Sequence, residues 1–210
     1  GQVLPYVGQR AYPAGNAVGI TAYQKAQEIL GEDERLTVLP CIAVPGHPAL
    51  QVRTDGFENS IGQQDNVEML DELNVSTDVS QATTRVQDAY NANPDINVIL
   101  GSGFWAPAAA AQLVANEGLQ DEMIVGGFDL PSSTLNGIQN GTITFTVGQD
   151  PYSQGYRPVH LAYQYMDRGI PMKDFITGVS IVDESNIDFA QKRSGSWSDL
   201  VDYQDQNYDV

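Results

Sequence analysis

Apolar residues along the chain fall into two rhythms. Short runs, dense or alternating, recur at Leu4–Val7, Thr37–Val44, Ile96–Leu100, Met123–Gly127, Ile143–Gly148 and Phe175–Val182, with a weaker run near Val67–Val75. Between them lie longer stretches whose apolar positions return every three or four residues: Pro13–Leu30, Pro48–Ser60, Val79–Ala92, Ala106–Glu117, Ser132–Asn140 and Tyr152–Arg168. The first rhythm predicts strands and the second helices. Their alternation, β-α-β-α, predicts an α/β fold with an open parallel sheet covered by helices.

Residues at the boundaries supply mechanisms for these elements. Asp78 stands where its carboxylate can cap the free amides of "VSQATTRVQDAY", and "NANPD" stops that helix, because a residue before proline is pushed out of the α region. Gly118, behind "AAAAQLVANE", occupies a position that favours positive φ. Pro40 cannot donate to a ladder, so an edge or a bulge is expected there. The last stretch, "KRSGSWSDLVDYQDQNYDV", loses periodicity and is expected to be an extended tail, packed through Trp197 and Tyr203.

Composition narrows the function classes. The 210 residues hold 27 acidic and 10 basic side chains, a net charge of −17, and three lysines, Lys25, Lys173 and Lys192. That field repels phosphate backbones and offers no basic stripe, which argues against nucleic-acid binding. It suits a soluble acidic protein or one adapted to high salt. No run approaches the roughly 20 apolar residues that span a bilayer, and the first residues lack the basic and apolar regions of a signal peptide. Direct membrane insertion is not expected.

Cys41, the single cysteine, lies in the apolar run "TVLPCIAV" and reads as a core residue. His47 and His160 stand far apart without cysteines or paired carboxylates at ligand spacing, so no metal site is expected. No nucleophile elbow, metalloprotease helix or phosphate-binding loop is present, and no cofactor fingerprint competes.

Ligands of open α/β sheets bind at the carboxyl ends of strands, where loops and helix amino-termini gather. Those positions here hold Gly8-Gln9-Arg10, Pro45-Gly46-His47 with Arg53 one turn on, Gly101-Ser102-Gly103-Phe104-Trp105, Phe128-Asp129 and Gln149-Asp150. Planar polar groups grip vicinal hydroxyls in pairs and aromatic rings stack on the C–H face of a sugar, so a monosaccharide suits the set. Simpler roles stay open for each. Gln9 also suits a turn, Arg53 a pairing with Asp55 or Glu58 on an exposed helix, Asp129 and Asp150 helix caps, and Phe104 and Trp105 a cover for the core.

The segments "YVGQRAYPAGNAVG", "PGHPALQVRTDGF", "ANPDINVILGSGFWAPAAAAQL", "IVGGFDLPSSTLNGIQNGTITFTVGQDPYSQGYRPV" and "DFITGVSIVDESNID" occur in the order and spacing of the periplasmic sugar-binding proteins of ABC importers. The chain resembles the ribose-binding, type I class over residues 3–188. The resemblance implies two α/β lobes joined by three crossing strands that close on a sugar. It places residues 1–36 and 130–170 in the amino-terminal lobe, 37–129 and 171–188 in the carboxy-terminal lobe, and 189–210 in a tail. The family's first lobe begins with further βα units that these residues do not contain, so that lobe is expected to be incomplete.

Carried over by motif, Arg53 is the arginine that binds sugar hydroxyls and ring oxygen, Asp129 the hinge aspartate taking two hydroxyls with Phe128 beside it, and Gln149 the hinge-side glutamine. Ser102, with Phe104 or Trp105, falls where the family has an asparagine-type contact, and Gln9 at a polar loop position of the first lobe. The expected function is reversible capture of a monosaccharide for the membrane permease of an ABC importer, outside the cytoplasm and without cofactor, metal or catalysis. The rival is a sugar-sensing effector domain of a LacI-type repressor or a membrane sensor kinase. An enzyme would need paired carboxylates, for which Asp129 and Asp150 are the candidates.

Overall fold

The computed structural model describes residues 4–194. In chain order the elements are β1 (Val7–Gly8), α1 (Ala11–Ile29), β2 (Leu36–Ile42), α2 (Pro48–Ile61), β3 (Val67–Met69), β4 (Leu73–Asn74), α3 (Val79–Ala92), β5 (Val98–Gly101), α4 (Trp105–Glu117), β6 (Ile124–Phe128), α5 (Ser132–Gln139), β7 (Phe145–Gly148), α6 (Pro151–Arg168), β8 (Phe175–Ile176), β9 (Ser180–Asp183) and α7 (Ile187–Ser194).

The main sheet runs β3-β2-β5-β6-β7-β9, with β4 also on β2. Its pairings are parallel except the last, where β9 lies antiparallel to β7. The run expected over Phe175–Val182 is thus two strands in two sheets: β8 pairs with β1 in a separate parallel ribbon.

Every residue of β2, β5, β6 and β7 is buried, as strands covered on both faces must be. Alternate side chains divide the core. Leu36, Val38, Val98, Leu100, Phe128 and Phe145 pack with Ala14, Val18, Phe57 and Ile61 of α1 and α2. On the opposite face Leu39, Cys41, Ile99 and Val125 pack with Ala82, Val86, Leu113, Leu135 and Ile187.

Several local expectations hold in atomic detail. The Asp78 carboxylate accepts from the Gln81 amide at 2.9 Å, and Gly118 ends α4 at φ 76°. Cys41 is fully buried. Pro40 is a correction of a kind: β2 is interior, not an edge. Leu70 and Val75 donate to Val38 and Ile42, so the nitrogen of Pro40 faces the gap between β3 and β4, where no donor is required.

Two boundaries differ from expectation. Helix α1 packs on α2 and touches β5, β6 and β7, so residues 11–29 lie on the main sheet. Strand β7 pairs with β6 in that same sheet, so the chain leaves it after Gly148, not after Asp129. Among the described residues, α1 and β7 thus group with the main sheet, whereas β1 and β8 form the separate ribbon that α6 contacts. The tail expected from residue 189 onward begins as helix, since α7 buries Ile187 and Ala190 in the core. Trp197 and Tyr203 lie outside the described residues.

Helix α6 has no buried residue. Tyr152, Tyr156 and His160, one helical turn apart, stack in a row with ring centroids 5.9 and 5.7 Å apart. The helix contacts β1, and the Arg157 guanidinium sits 4.6 Å from the Phe175 ring of β8.

Candidate functional site

The chain passes between the two sheets three times: from β1 to α1, from β7 to α6, and from β8 to β9. Polar side chains gather at these connections and at the carboxyl ends of β5 and β6. Arg53, on α2, is at their centre and only 8% exposed.

Close approach of α1 and α2 places Arg53 there. A Cβ on Gly15 would lie 2.1 Å from the Arg53 carbonyl oxygen, and one on Gly56 would lie 2.6 Å from the Tyr12 carbonyl oxygen. With hydrogen at both positions the helix backbones meet directly, which fixes the depth at which the arginine emerges.

The guanidinium rests on the Phe128 ring, 4.0 Å from its centroid. Its Nη1 donates to the Ser102 carbonyl oxygen at 3.1 Å, and Nη2 donates to Gln149 Oε1 at 2.5 Å and to Gln9 Oε1 at 3.5 Å. Gln149 turns its amide nitrogen to the Asp129 carboxylate. Burial pushes the Arg53 guanidinium below its ordinary range, while Asp129 and Tyr6 act against that. Arg53 thus does not pair with Asp55 or Glu58 but faces the crossings.

The two aspartates part company. Asp150 caps α6, accepting from the Ser153 amide at 3.2 Å, whereas α5 starts behind Pro131 without a side-chain cap and Asp129 is turned to Gln149. Both have left-handed backbones, φ 74° at Asp129 and 53° at Asp150, a region that aspartate tolerates better than most residues.

The structure thus brings Gln9, Arg53, Phe128, Asp129, Gln149 and the Ser102 carbonyl into one cluster. Phe128 is fully buried beneath the guanidinium and acts as its platform. Phe104 and Trp105 stack on each other with centroids 4.7 Å apart, and Trp105 packs against the core, the covering role left open by the sequence. Two buried polar atoms of the region, Arg53 Nε and Ser102 Oγ, have no hydrogen-bond partner among the described residues. Such groups cost about 1–3 kcal/mol each unless a guest or water completes them. The arrangement has donors, a carboxylate and planar amides, and no nucleophile with an adjacent base.

Sequence reasoning missed Tyr6 and Gln154. Tyr6 donates its hydroxyl to the Gln9 carbonyl oxygen at 2.7 Å, and Gln154 donates to the Gln149 carbonyl oxygen at 2.8 Å. The only local signal for either was its place within five residues of a polar crossing. Among the described residues no group of His, Cys, Asp and Glu could hold a metal ion, and no helix is long and apolar enough to cross a membrane.

Residues 1–170 match a family model described as periplasmic binding protein domain. The xylose/arabinose-binding protein XylF of Sulfolobus acidocaldarius is 25% identical over 191 residues, which cover 88% of this chain and 45% of that protein. A carbohydrate transporter solute-binding protein of Agrobacterium radiobacter, solved with D-arabinose, matches with a TM-score of 0.79 at 22% identity, over 87% of this chain and 62% of the other. GanP, a glucose-galactose binding protein of Geobacillus stearothermophilus, matches with a TM-score of 0.78 at 20% identity, over 88% of this chain and 64% of the other. The chain therefore spans about half the length of the curated relative and less than two thirds of these solved neighbours.

Proposed function

The chain belongs to the periplasmic-binding-protein domain family, and on that premise we propose that it is part of a receptor that reversibly binds a monosaccharide. The observation that carries this reading is the Arg53–Gln149–Asp129 cluster, set where the connections between the sheets meet, with Arg53 Nε and Ser102 Oγ unsatisfied beside it. A vicinal diol fits it. One hydroxyl accepts from the guanidinium while its neighbour donates to Asp129, and Gln149 both donates and accepts.

In this reading Arg53, Ser102, Asp129 and Gln149 touch the sugar, Phe128 holds Arg53, and Phe104 with Trp105 supplies an apolar wall at the start of α4. The relatives' sugars, xylose or arabinose, D-arabinose, and glucose or galactose, support a monosaccharide as the ligand class. The β1–β8 ribbon and α6 would start a second lobe that closes on the ligand by rotation about the crossings. Six large apolar or aromatic side chains of α6, Tyr152, Tyr156, Val159, Tyr163, Tyr165 and Met166, are exposed, which supports a lobe that would pack on this helix. The partner would be the permease of an ABC importer, met outside the cytoplasm, and the receptor would catalyse nothing.

Isothermal titration of the full-length protein with D-xylose, D-arabinose, D-ribose, D-glucose and D-galactose tests the proposal. Micromolar binding of at least one, about −8 kcal/mol, is expected. Absence of heat for all five, with the protein folded, would overturn it.

A further inference from the structure

Gln9 is 7% exposed, and both N–H donors of its side-chain amide are committed inside the protein. Its Nε2 donates to the Gly148 carbonyl oxygen at 3.2 Å and to the Gly178 carbonyl oxygen at 3.0 Å, while its Oε1 accepts from Arg53 Nη2 at 3.5 Å. A glutamine has two N–H donors and one carbonyl, so no donor is left for a ligand. Two carbonyl acceptors on one side and a guanidinium on the other also settle which way the amide faces.

The three partners come from three different places. Gln9 sits on the connection from β1 to α1, Gly148 ends β7 before the chain turns into α6, and Gly178 lies between β8 and β9. One side chain therefore ties together all three passages of the chain between its two sheets. Neighbouring bonds reinforce the tie: Tyr6 donates to the Gln9 carbonyl oxygen, and Thr177 donates from its backbone amide to the Gly8 carbonyl oxygen at 3.1 Å.

We propose that Gln9 is a positioning residue that pins the three crossings to one another and orients the Arg53 guanidinium, instead of contacting ligand. A swing of one sheet against the other turns about these crossings, so the pin limits how independently they flex. The orientation of Arg53 matters only if that residue binds sugar, which rests on the proposed function; the pinning does not.

Hydrogen exchange followed by mass spectrometry on the unliganded full chain tests this with two variants. Gln9→Met keeps the volume and removes every bond, and Gln9→Asn keeps the amide but is one methylene too short to reach both carbonyls. Loss of two buried bonds should speed exchange roughly tenfold in peptides covering residues 7–10, 147–150 and 176–180, with β2, β5 and β6 unchanged. Unchanged exchange at the crossings would overturn the proposal. If D-arabinose binding fell while exchange at the crossings stayed unchanged, Gln9 would be a ligand contact and the proposal would be overturned. A fall in binding together with faster exchange at the crossings is the loss expected when Arg53 is no longer oriented. Acceleration spread equally over β2, β5 and β6 in Gln9→Asn would make it an ordinary stabilising residue and overturn the proposal as well. A wild-type protein that binds no sugar defeats the proposed function but leaves the exchange result standing.

Discussion

Arg53 and Gln149, 96 residues apart in the chain, meet with guanidinium Nη2 2.5 Å from the amide oxygen, at the point where the chain leaves β7 for α6. The contact joins a helix of the main sheet to a connection between the two sheets. It also holds the amide so that its nitrogen faces Asp129.

Arg53→Lys should bind sugar about 100-fold more weakly than the wild type. A lysine ammonium cannot reproduce the planar fork that serves Ser102 and Gln149 at once, and hydrogen bonds to a charged group are worth about 1.5–3 kcal/mol. Titration with the best-bound sugar of the panel measures the loss.

Gln149→Ala and Asp150→Ala should separate function from stability. The first removes a bridge between Arg53 and Asp129 and should weaken sugar binding with little change in unfolding. The second removes the cap on α6 and puts alanine into a left-handed backbone, which together should cost about 2 kcal/mol. Asp150→Asn, which keeps an acceptor and tolerates that backbone, should stay near the wild type in denaturant melts.

Gly15→Ala should both destabilise and impair binding. The new methyl would meet the Arg53 carbonyl oxygen, forcing α1 and α2 apart, and overpacking of this kind costs about 1–3 kcal/mol. By contrast Gly155→Ala, on the exposed helix α6 with open space around the new methyl, should be neutral to stabilising. Paired unfolding and titration curves check both.

Glu58→Gln should raise stability at neutral pH by under about 1 kcal/mol, the scale of partly exposed charges. Burial raises the Glu58 carboxyl above its ordinary range, helped by the nearby Glu72 and Asp55. A group raised on folding is stabilising while protonated and loses that contribution as pH rises through its folded value. The gain from Gln should therefore vanish below about pH 4, where Glu58 is protonated in both states. Thermal melts at pH 3.5 and 7 give the comparison.

Local chemistry was legible in the residues. The helix over Val79–Ala92, its Asp78 cap, the Gly118 end and the Asp150 cap are decided within one turn of chain, where a side chain either reaches a free amide or does not. The buried strands around Cys41 and Ile99 follow from runs too apolar to face water. That Arg53, Asp129 and Gln149 lie at one end of the sheet was legible from their place behind predicted strands, but their roles came from resemblance and their pairing only from the fold, since 20 and 96 residues separate Gln149 from its two partners.

What the sequence by itself determined is the alternation of strands and helices and the places where each stops, because those depend on neighbours within about four positions. Tertiary structure alone decided that α1 and β7 join the main sheet, that β9 runs antiparallel at its edge, and that Gln9 spends its amide on Gly148 and Gly178. Strand order and the partner of a buried amide depend on which distant surfaces meet. A periodic pattern says that a face must be buried, but not against what.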